Sequence, residues 1–165
     1  MSSPPPPTVV FDCMTFLQAT TSPTGLSAAC LRLVEAGYIR LVVSQPILDE
    51  VRNVLSRPRI RKRNPHLTGE SVDAFLARVA AVATVAPIPP SFFPYARNPK
   101  DEPYLNLAIG QTANLLASWD NDLLDLMKPD NEDGSRLRSL APTLAIVTPP
   151  GLLAVVSPPS AIEPP

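Results

Sequence analysis

The sequence predicts an α/β domain in which helices cover both faces of a mostly parallel sheet. Short apolar and β-branched runs alternate with stretches whose apolar residues recur at helical spacing, a pattern typical of parallel α/β proteins. The chain has 165 residues, of which 45% are hydrophobic and 18% charged. A domain of this size buries roughly 70% of its extended-chain surface, so its core does not require disulfides or a structural metal.

The first half of the chain predicts a strand–helix–strand unit followed by two further helices. Gly37 ends the first helix, and Ser44 and Thr68 can cap the next two, because glycine favours helix C-termini and hydroxyl side chains favour N-termini. In chain order these elements are strand 8–11, helix 26–36, strand 39–43, helix 45–55 and helix 70–83. Residues 57–66 predict a basic connection, and residues 82–86 fit a short strand or the end of the preceding helix.

The second half predicts the same alternation after a proline-rich loop. Apolar periodicity indicates helices, and short apolar runs bounded by turn residues indicate strands. The predicted elements are helix 103–112, strand 115–118, helix 121–127, strand 145–147 and helix 151–155. Residues 130–136 are polar and predict a loop.

Composition excludes several classes of protein. Fourteen basic side chains nearly balance fifteen acidic ones, for a formal net charge of −1, which argues against a generally basic nucleic-acid binder but permits a local basic patch. Two cysteines cannot form a disulfide framework, and no secretory signal pattern opens the chain. No apolar stretch reaches the ~20 residues that a membrane helix needs. We therefore expect a cytoplasmic domain without a membrane segment.

Proline marks the ends of the predicted domain. The chain has 22 prolines, more than twice the usual proportion of about 5%, and many lie in residues 1–7 and 157–165. We expect a single domain over residues 8–156 between a disordered proline-rich N-terminal tail and a proline-rich C-terminal tail. Such tails are typical of frayed ends or of polyproline ligands for a binding partner.

Acidic side chains gather where ligand sites of parallel sheets form. Asp12 follows the first predicted strand and Asp120 follows the strand at residues 115–118, and ligands of open α/β sheets bind beyond the carboxyl ends of strands. Helical spacing places Glu50 beside the apolar stripe of the helix at residues 45–55. The same spacing places Asp101 on the inward side, in line with the apolar residues of the helix predicted at residues 103–112. Their neighbours Asp49 and Glu102 point away toward solvent.

Four converging acids favour a cation site over separate structural roles. Individually, Asp12 can end a strand, and Asp101 and Asp120 can cap the helices that follow them. Together, like carboxylates cost stability unless a cation neutralises them. Cysteine and histidine are not spaced for zinc, and oxygen ligands suit Mg²⁺ or Mn²⁺. Such a centre can generate a hydroxide nucleophile and stabilise an oxyanion leaving group in phosphodiester hydrolysis.

An ordered set of short motifs resembles the PIN-domain ribonucleases, especially the toxin components of toxin–antitoxin pairs. The likeness runs over roughly residues 8–154, and each piece alone is a weak motif. The matching stretches are residues 9–12 (VVFD), 41–44 (LVVS), 47–50 (ILDE), 98–105 (NPKDEPYL), 118–124 (SWDNDLL) and 146–149 (IVTP).

The resemblance implies a three-layer α/β/α fold and Mg²⁺- or Mn²⁺-dependent cleavage of single-stranded RNA. Asp12, Glu50, Asp101 and Asp120 fall on the family's catalytic, metal-binding acids. Asp122 would add a further metal ligand, and Ser118 falls on a supporting position whose hydroxyl orients a carboxylate or water. A small antitoxin protein and a homodimer are the partners that the resemblance implies.

Two positions depart from the family pattern. Met14 stands where the family usually has Asn, and Asn98 stands where many relatives have Asp. Loss of a side chain that supports a metal ligand can lower metal affinity or activity ~10–100-fold. The alternative is therefore a catalytically weakened PIN-fold module that binds RNA or protein. A phosphotransfer domain with Asp12 as nucleophile is disfavoured, because residues 12–14 lack a second acid.

Two further features each have a functional and a structural interpretation. The one dense basic run can hold RNA phosphates near the acids or form a solvated loop. Trp119 can stack on a base or pack at the strand end. The lone His66 is expected at the surface, and the two cysteines are expected to be packing residues. The basic run comprises Arg57, Arg59, Arg61, Lys62 and Arg63.

Overall fold

The fold is taken from a computed structural model that describes residues 4–156. The predicted C-terminal tail, residues 157–165, and the first three residues of the predicted N-terminal tail lie outside that range. Within it, the carbonyl of Pro7 accepts a hydrogen bond of 2.9 Å from the backbone N–H of Arg40. The chain therefore enters the sheet directly from its proline run.

A five-stranded parallel sheet forms the centre of the described chain, in the order β3-β2-β1-β4-β5. Register pairs Val9 of β1 with Leu41 of β2 on one side and with Leu115 of β4 on the other. Since all strands run in the same direction, their carboxyl ends meet at one edge. The strands are β1 (Thr8–Phe11), β2 (Arg40–Ser44), β3 (Thr84–Ala86), β4 (Leu115–Ala117) and β5 (Ala145–Val147).

Helices flank this sheet and complete the predicted three-layer α/β/α architecture. No helix within residues 4–156 is long and apolar enough to cross a bilayer. In chain order the helices are α1 (Cys13–Thr21), α2 (Leu26–Glu35), α3 (Gln45–Leu55), α4 (Pro58–Arg63), α5 (Gly69–Val82), α6 (Glu102–Gly110), α7 (Asn121–Leu124), α8 (Glu132–Leu140) and α9 (Pro149–Val156), with short 3₁₀ turns at Pro99–Asp101 and Asp125–Met127.

The core lies where the central strands meet the helices. Val9 and Val10 of β1 and Leu116 of β4 are completely buried, as expected for the middle strands of a sheet covered on both faces. Helix α6 packs on β1 and β2, α1 packs on α2 and α3, and α9 packs on β4 and β5. These contacts hold the carboxyl ends of β1, β2 and β4 in fixed positions.

Three segments differ from the sequence-based expectation. The predicted connection at residues 57–66 contains α4, because Pro58 occupies its first turn, where proline is tolerated. The predicted loop at residues 130–136 contains most of α8, whose N-cap Asn131 accepts a hydrogen bond from the N–H of Gly134 at 2.8 Å. Helix α1 was not predicted, and residues 82–86 contain β3 as an edge strand beside β2.

Gly134→Ala should destabilise the fold. A Cβ at Gly134 would lie 2.1 Å from the backbone oxygen of Leu126, and overpacking of this kind costs about 1–3 kcal/mol. The alanine preference of helices offsets about 1 kcal/mol of that cost. We expect a lower melting temperature in differential scanning calorimetry.

Gly69→Ala in α5 is the matched control, because a Cβ there meets nothing within 4 Å. It should leave the melting temperature unchanged or slightly raised. Equal melting temperatures for both variants would contradict the proposed clash.

Candidate metal centre

Four acids from different elements line one cavity at the carboxyl edge of the sheet. Asp12 directly follows β1, Glu50 lies on α3 after β2, Asp101 ends the 3₁₀ turn before α6, and Asp120 follows β4. All four line a cavity of about 480 Å³. Parallel topology brings these acids together although they are spread over most of the chain.

Asp12 is the most completely anchored of these carboxylates. Its Oδ1 accepts hydrogen bonds from the backbone N–H of Thr15 at 2.9 Å and from the Thr15 hydroxyl at 2.6 Å. Its Oδ2 accepts one from the Ser118 hydroxyl at 2.5 Å. Burial raises the pKa of Asp12, and the bonds from Ser118 and Thr15 oppose that rise. The carboxylate is thus held in a single orientation.

Asp12 is held by Thr15 and Ser118, and not by the side chain at position 14. Met14 lines the same cavity and is 46% exposed. Thr15, the next residue, supplies two donors to Asp12 instead. Sequence reasoning missed Thr15, although a residue three positions after a helix N-cap is where a capping partner is expected.

Asp101, Asp120 and Asp122 form the tightest acidic group. One carboxylate oxygen from each lies within 4.8 Å of the other two. Asp101 is only 8% exposed, and its buried Oδ2 has no hydrogen-bond partner within the described chain. Burial, followed by the charge of Asp120, raises the pKa of Asp101 to about 7. An oxygen-only set with an unpartnered buried oxygen fits a hard divalent cation.

Asp122 differs from the other two because a cation already faces it. The Arg97 guanidinium lies 2.7 Å from Asp122 Oδ1 and also pairs with Asp125 at 2.9 Å. Asn98 donates to Asp122 Oδ2 at 3.2 Å, so the second departure from the family pattern places an amide donor beside this acid. Asp122 is therefore partly neutralised without a metal.

Glu50 lines the cavity and is held by a hydrogen bond from α6. The Tyr104 hydroxyl donates to Glu50 Oε2 at 2.7 Å. Tyr104 is almost fully buried, and burial is the main reason that its pKa is raised, so it remains a protonated donor. Sequence reasoning missed Tyr104, although its position three residues after Asp101 places both on one helical face. The exposed neighbour Asp49 bonds to Gln45 instead.

The basic run contributes unequally to the cavity. Arg57 lines it, together with Lys100. The other members lie on α4, where Arg59, Lys62 and Arg63 are exposed and Arg61 is half-buried. The structure therefore brings one end of the predicted basic run to the acids, whereas Arg59, Arg61, Lys62 and Arg63 on α4 do not line their cavity.

The remaining singled-out residues have simpler positions. Exposed His66 lies 3.0 Å from the carbonyl of Thr20, at the surface as expected. Burial raises the thiol pKa of Cys13 to about 11 and of Cys30 to about 12; Cys30 is a buried core residue as expected, whereas Cys13 is half-buried and lines the acidic cavity. Trp119, in contrast, is 41% exposed and lines the acidic cavity, so its ring is not packed away at the strand end.

Asp101→Asn should stabilise the metal-free protein at neutral and alkaline pH. Folding raises the pKa of Asp101 from 3.8 to about 7, so the folded chain binds this proton more tightly than the unfolded chain. The stability that the group contributes is present below about pH 4 and is lost as the pH rises through 7. In EDTA at pH 8 the variant should gain on the order of 1–3 kcal/mol, measured by urea unfolding.

The gain should shrink toward pH 5, where wild-type Asp101 keeps its proton. Asp49→Asn, at an exposed carboxylate on α3, should change stability little at either pH. A gain that does not depend on pH would contradict the assignment.

Comparison with known proteins identifies the family. The family model described as the PIN domain matches residues 8–122, a range that includes all five acids at the cavity and in the tight acidic group. No curated protein matches the chain. PIN domains are generally metal-dependent nucleases, and both the parallel sheet and the acidic group of this structure agree with that assignment. The chain belongs to the PIN domain family.

Proposed function

We propose that this protein is a metal-dependent endoribonuclease that cleaves single-stranded RNA. The observation that carries the proposal is the buried Oδ2 of Asp101, which lacks a partner beside Asp120 and Asp122. Ionising a buried carboxyl whose oxygen has no partner is costly, which is why the pKa of Asp101 is raised. A site that keeps such an oxygen is suited to a cation that the protein itself does not supply.

Asp12, Glu50, Asp101 and Asp120 would hold Mg²⁺ or Mn²⁺, with Asp122 assisting them. When bound, such a cation supplies Lewis-acid activation of water and neutralises charge on the leaving oxygen of a phosphodiester. Ser118 contributes through its bond to Asp12 at 2.5 Å, and its Oγ also accepts from the N–H of Asp120 at 2.8 Å. One hydroxyl thereby positions two of the proposed ligands.

The chain keeps its ligand oxygens in place before anything binds. Thr15 and Ser118 fix Asp12, and Tyr104 fixes Glu50. Carboxylates held by neighbouring donors do not have to be ordered on binding, and such supporting bonds commonly strengthen metal sites. These contacts argue against a module disabled by Met14.

The substrate backbone would lie along the basic side of the cavity. Arg57 and Lys100 line the same cavity as the acids, and cations next to a metal site favour a polyanion over a neutral substrate. Helix α4 continues the basic surface with Arg59, Arg61, Lys62 and Arg63. We assign this surface to RNA phosphates outside the cleaved bond.

We further propose that this nuclease is the toxin of a toxin–antitoxin pair. The motif resemblance supports that role, and it also supports a homodimer and a cytoplasmic site of action. The functional unit would be the domain at residues 8–156. Expression of the wild type should arrest growth while Asp101→Asn does not, and a small protein encoded upstream should relieve the arrest. Arrest by both forms would contradict a catalytic toxin.

Cleavage of labelled single-stranded RNA provides the direct test. Wild-type protein should cut in Mn²⁺ and not in EDTA. Asp101→Asn should lower the rate at least about 100-fold, because it removes a proposed ligand. The control Asp49→Asn, one residue before Glu50 on the exposed side of α3, should cut like the wild type.

The same preparations should be tested by thermal melting with Mn²⁺. The wild type should gain stability from the ion, and Asp101→Asn should lose most of that gain. Equal cutting by wild type and Asp101→Asn would contradict the site. RNA binding by a wild type that never cuts would instead favour the weakened binding module.

Arg57→Ala should weaken RNA binding and reduce its salt dependence. A lost phosphate contact lowers the slope of log K against log salt by about one. Arg40→Ala is the control, because Arg40 begins β2 and so lies at the amino ends of the strands, opposite the acids. Fluorescence anisotropy in EDTA at several salt concentrations would measure both, and an unchanged slope for Arg57→Ala would contradict its assignment.

A further inference from the structure

Trp119 is an exposed aromatic side chain on a rigid support. Its neighbour Ser118 is fully buried, and the N–H of Ser118 donates to the carbonyl of Val147 at 2.9 Å. On the other side, the N–H of Asp120 donates to Ser118 Oγ at 2.8 Å. The backbone on both sides of the indole is therefore fixed, so a ligand that binds the ring does not have to order the backbone.

The indole lines two adjoining cavities of different chemistry. The first is the acidic cavity, which also holds Arg57 and Lys100. The second has a volume of about 400 Å³, and no charged side chain lines it within the described residues. Besides Trp119 it is lined by Gln18, Ser22, Gly25, Leu26 and Ser27.

The second cavity has an apolar wall and a polar edge. Leu26, at the start of α2, is 49% exposed and lines this cavity with the indole. Gln18 accepts a hydrogen bond from Ser27 through Oε1 at 3.0 Å, which leaves its amide N–H groups to donate to a ligand. A flat, uncharged ligand with hydrogen-bond acceptors on its rim matches this combination.

We propose that the second cavity binds a nucleobase of the substrate, stacked on Trp119. The proposal rests on the proposed nuclease function, because it makes the base a neighbour of the phosphate at the acidic cavity. A nucleotide has an anionic phosphate and an uncharged aromatic base. The phosphate matches the first cavity, which contains Arg57 and Lys100, and the base matches the second cavity. Stacking on an exposed aromatic ring is a general way to hold single-stranded nucleic acid without strict sequence preference.

Trp119 is the only tryptophan in the sequence, so fluorescence excited at the long-wavelength edge of the indole band, where the three tyrosines do not absorb, reports on this site alone. Titration of the full-length protein with a short single-stranded RNA in EDTA should quench that fluorescence. The same backbone carrying abasic sites should quench much less. Trp119→Ala should weaken RNA binding roughly 5- to 150-fold, the range for loss of one stacked base, and Trp119→Phe should recover most of the affinity.

Tyr38→Ala is the matched control. Tyr38 is similarly exposed, at 45%, but precedes β2 at the opposite edge of the sheet, so its loss should not change RNA affinity. If RNA does not quench the fluorescence of the wild type, or if Trp119→Ala binds RNA as tightly as the wild type, the proposed base site is wrong. Either result would instead favour a protein-binding role for this exposed ring. Because these measurements need no metal, loss of the base site and loss of metal-dependent cleavage are separate outcomes.

Discussion

The hydrogen bonds around the Asp12 carboxylate join the elements on which the site depends. Oδ1 caps α1 through Thr15, and Oδ2 accepts from Ser118 just after β4. The N–H of Asp12 also donates to the carbonyl of Ala117 at 3.2 Å. One residue thus ties β1, β4 and α1 together at the edge where the acids meet. A substitution of Asp12 would therefore disturb both the fold and the proposed metal site. Asp101 Oδ2 has no hydrogen-bond partner within the described residues, so a substitution of Asp101 tests the metal site more directly.

The acids differ in how the chain offsets their charge. Asp122 faces Arg97, Glu50 accepts from Tyr104, and Asp12 accepts from two hydroxyl groups. Asp101 keeps a buried oxygen without a partner, and burial raises its pKa to about 7. Without a metal, a proton therefore offsets the charge of Asp101 up to about neutral pH, and a cation that binds there would displace that proton. A cation is attracted most strongly to that position, since electrostatic interactions strengthen where water is excluded.

Sequence patterns predicted the parts of this arrangement that follow from periodicity and topology. Parallel strands carry Asp12 and Asp120 to the carboxyl ends of the sheet, and helical spacing separated inward Glu50 from exposed Asp49. The same spacing was wrong for Glu102, which is half-buried because it accepts a hydrogen bond from the N–H of Tyr95 at 2.7 Å. Short helices were harder to predict, because α1 and α8 begin at side-chain caps and bury only two residues each, and α4 has neither a side-chain cap nor a buried residue. The pairing of Asp122 with Arg97 and the exposure of Trp119 come from loop paths that no periodic pattern encodes.

The residue at position 14 shows how local compensation changes what a family departure means. An amide there would have been one way to hold Asp12, but Thr15 and Ser118 already satisfy both of its oxygens. Met14 is then free to line the cavity, which Trp119 also lines. Met14 therefore does not leave Asp12 without donors, because these come from positions 15 and 118.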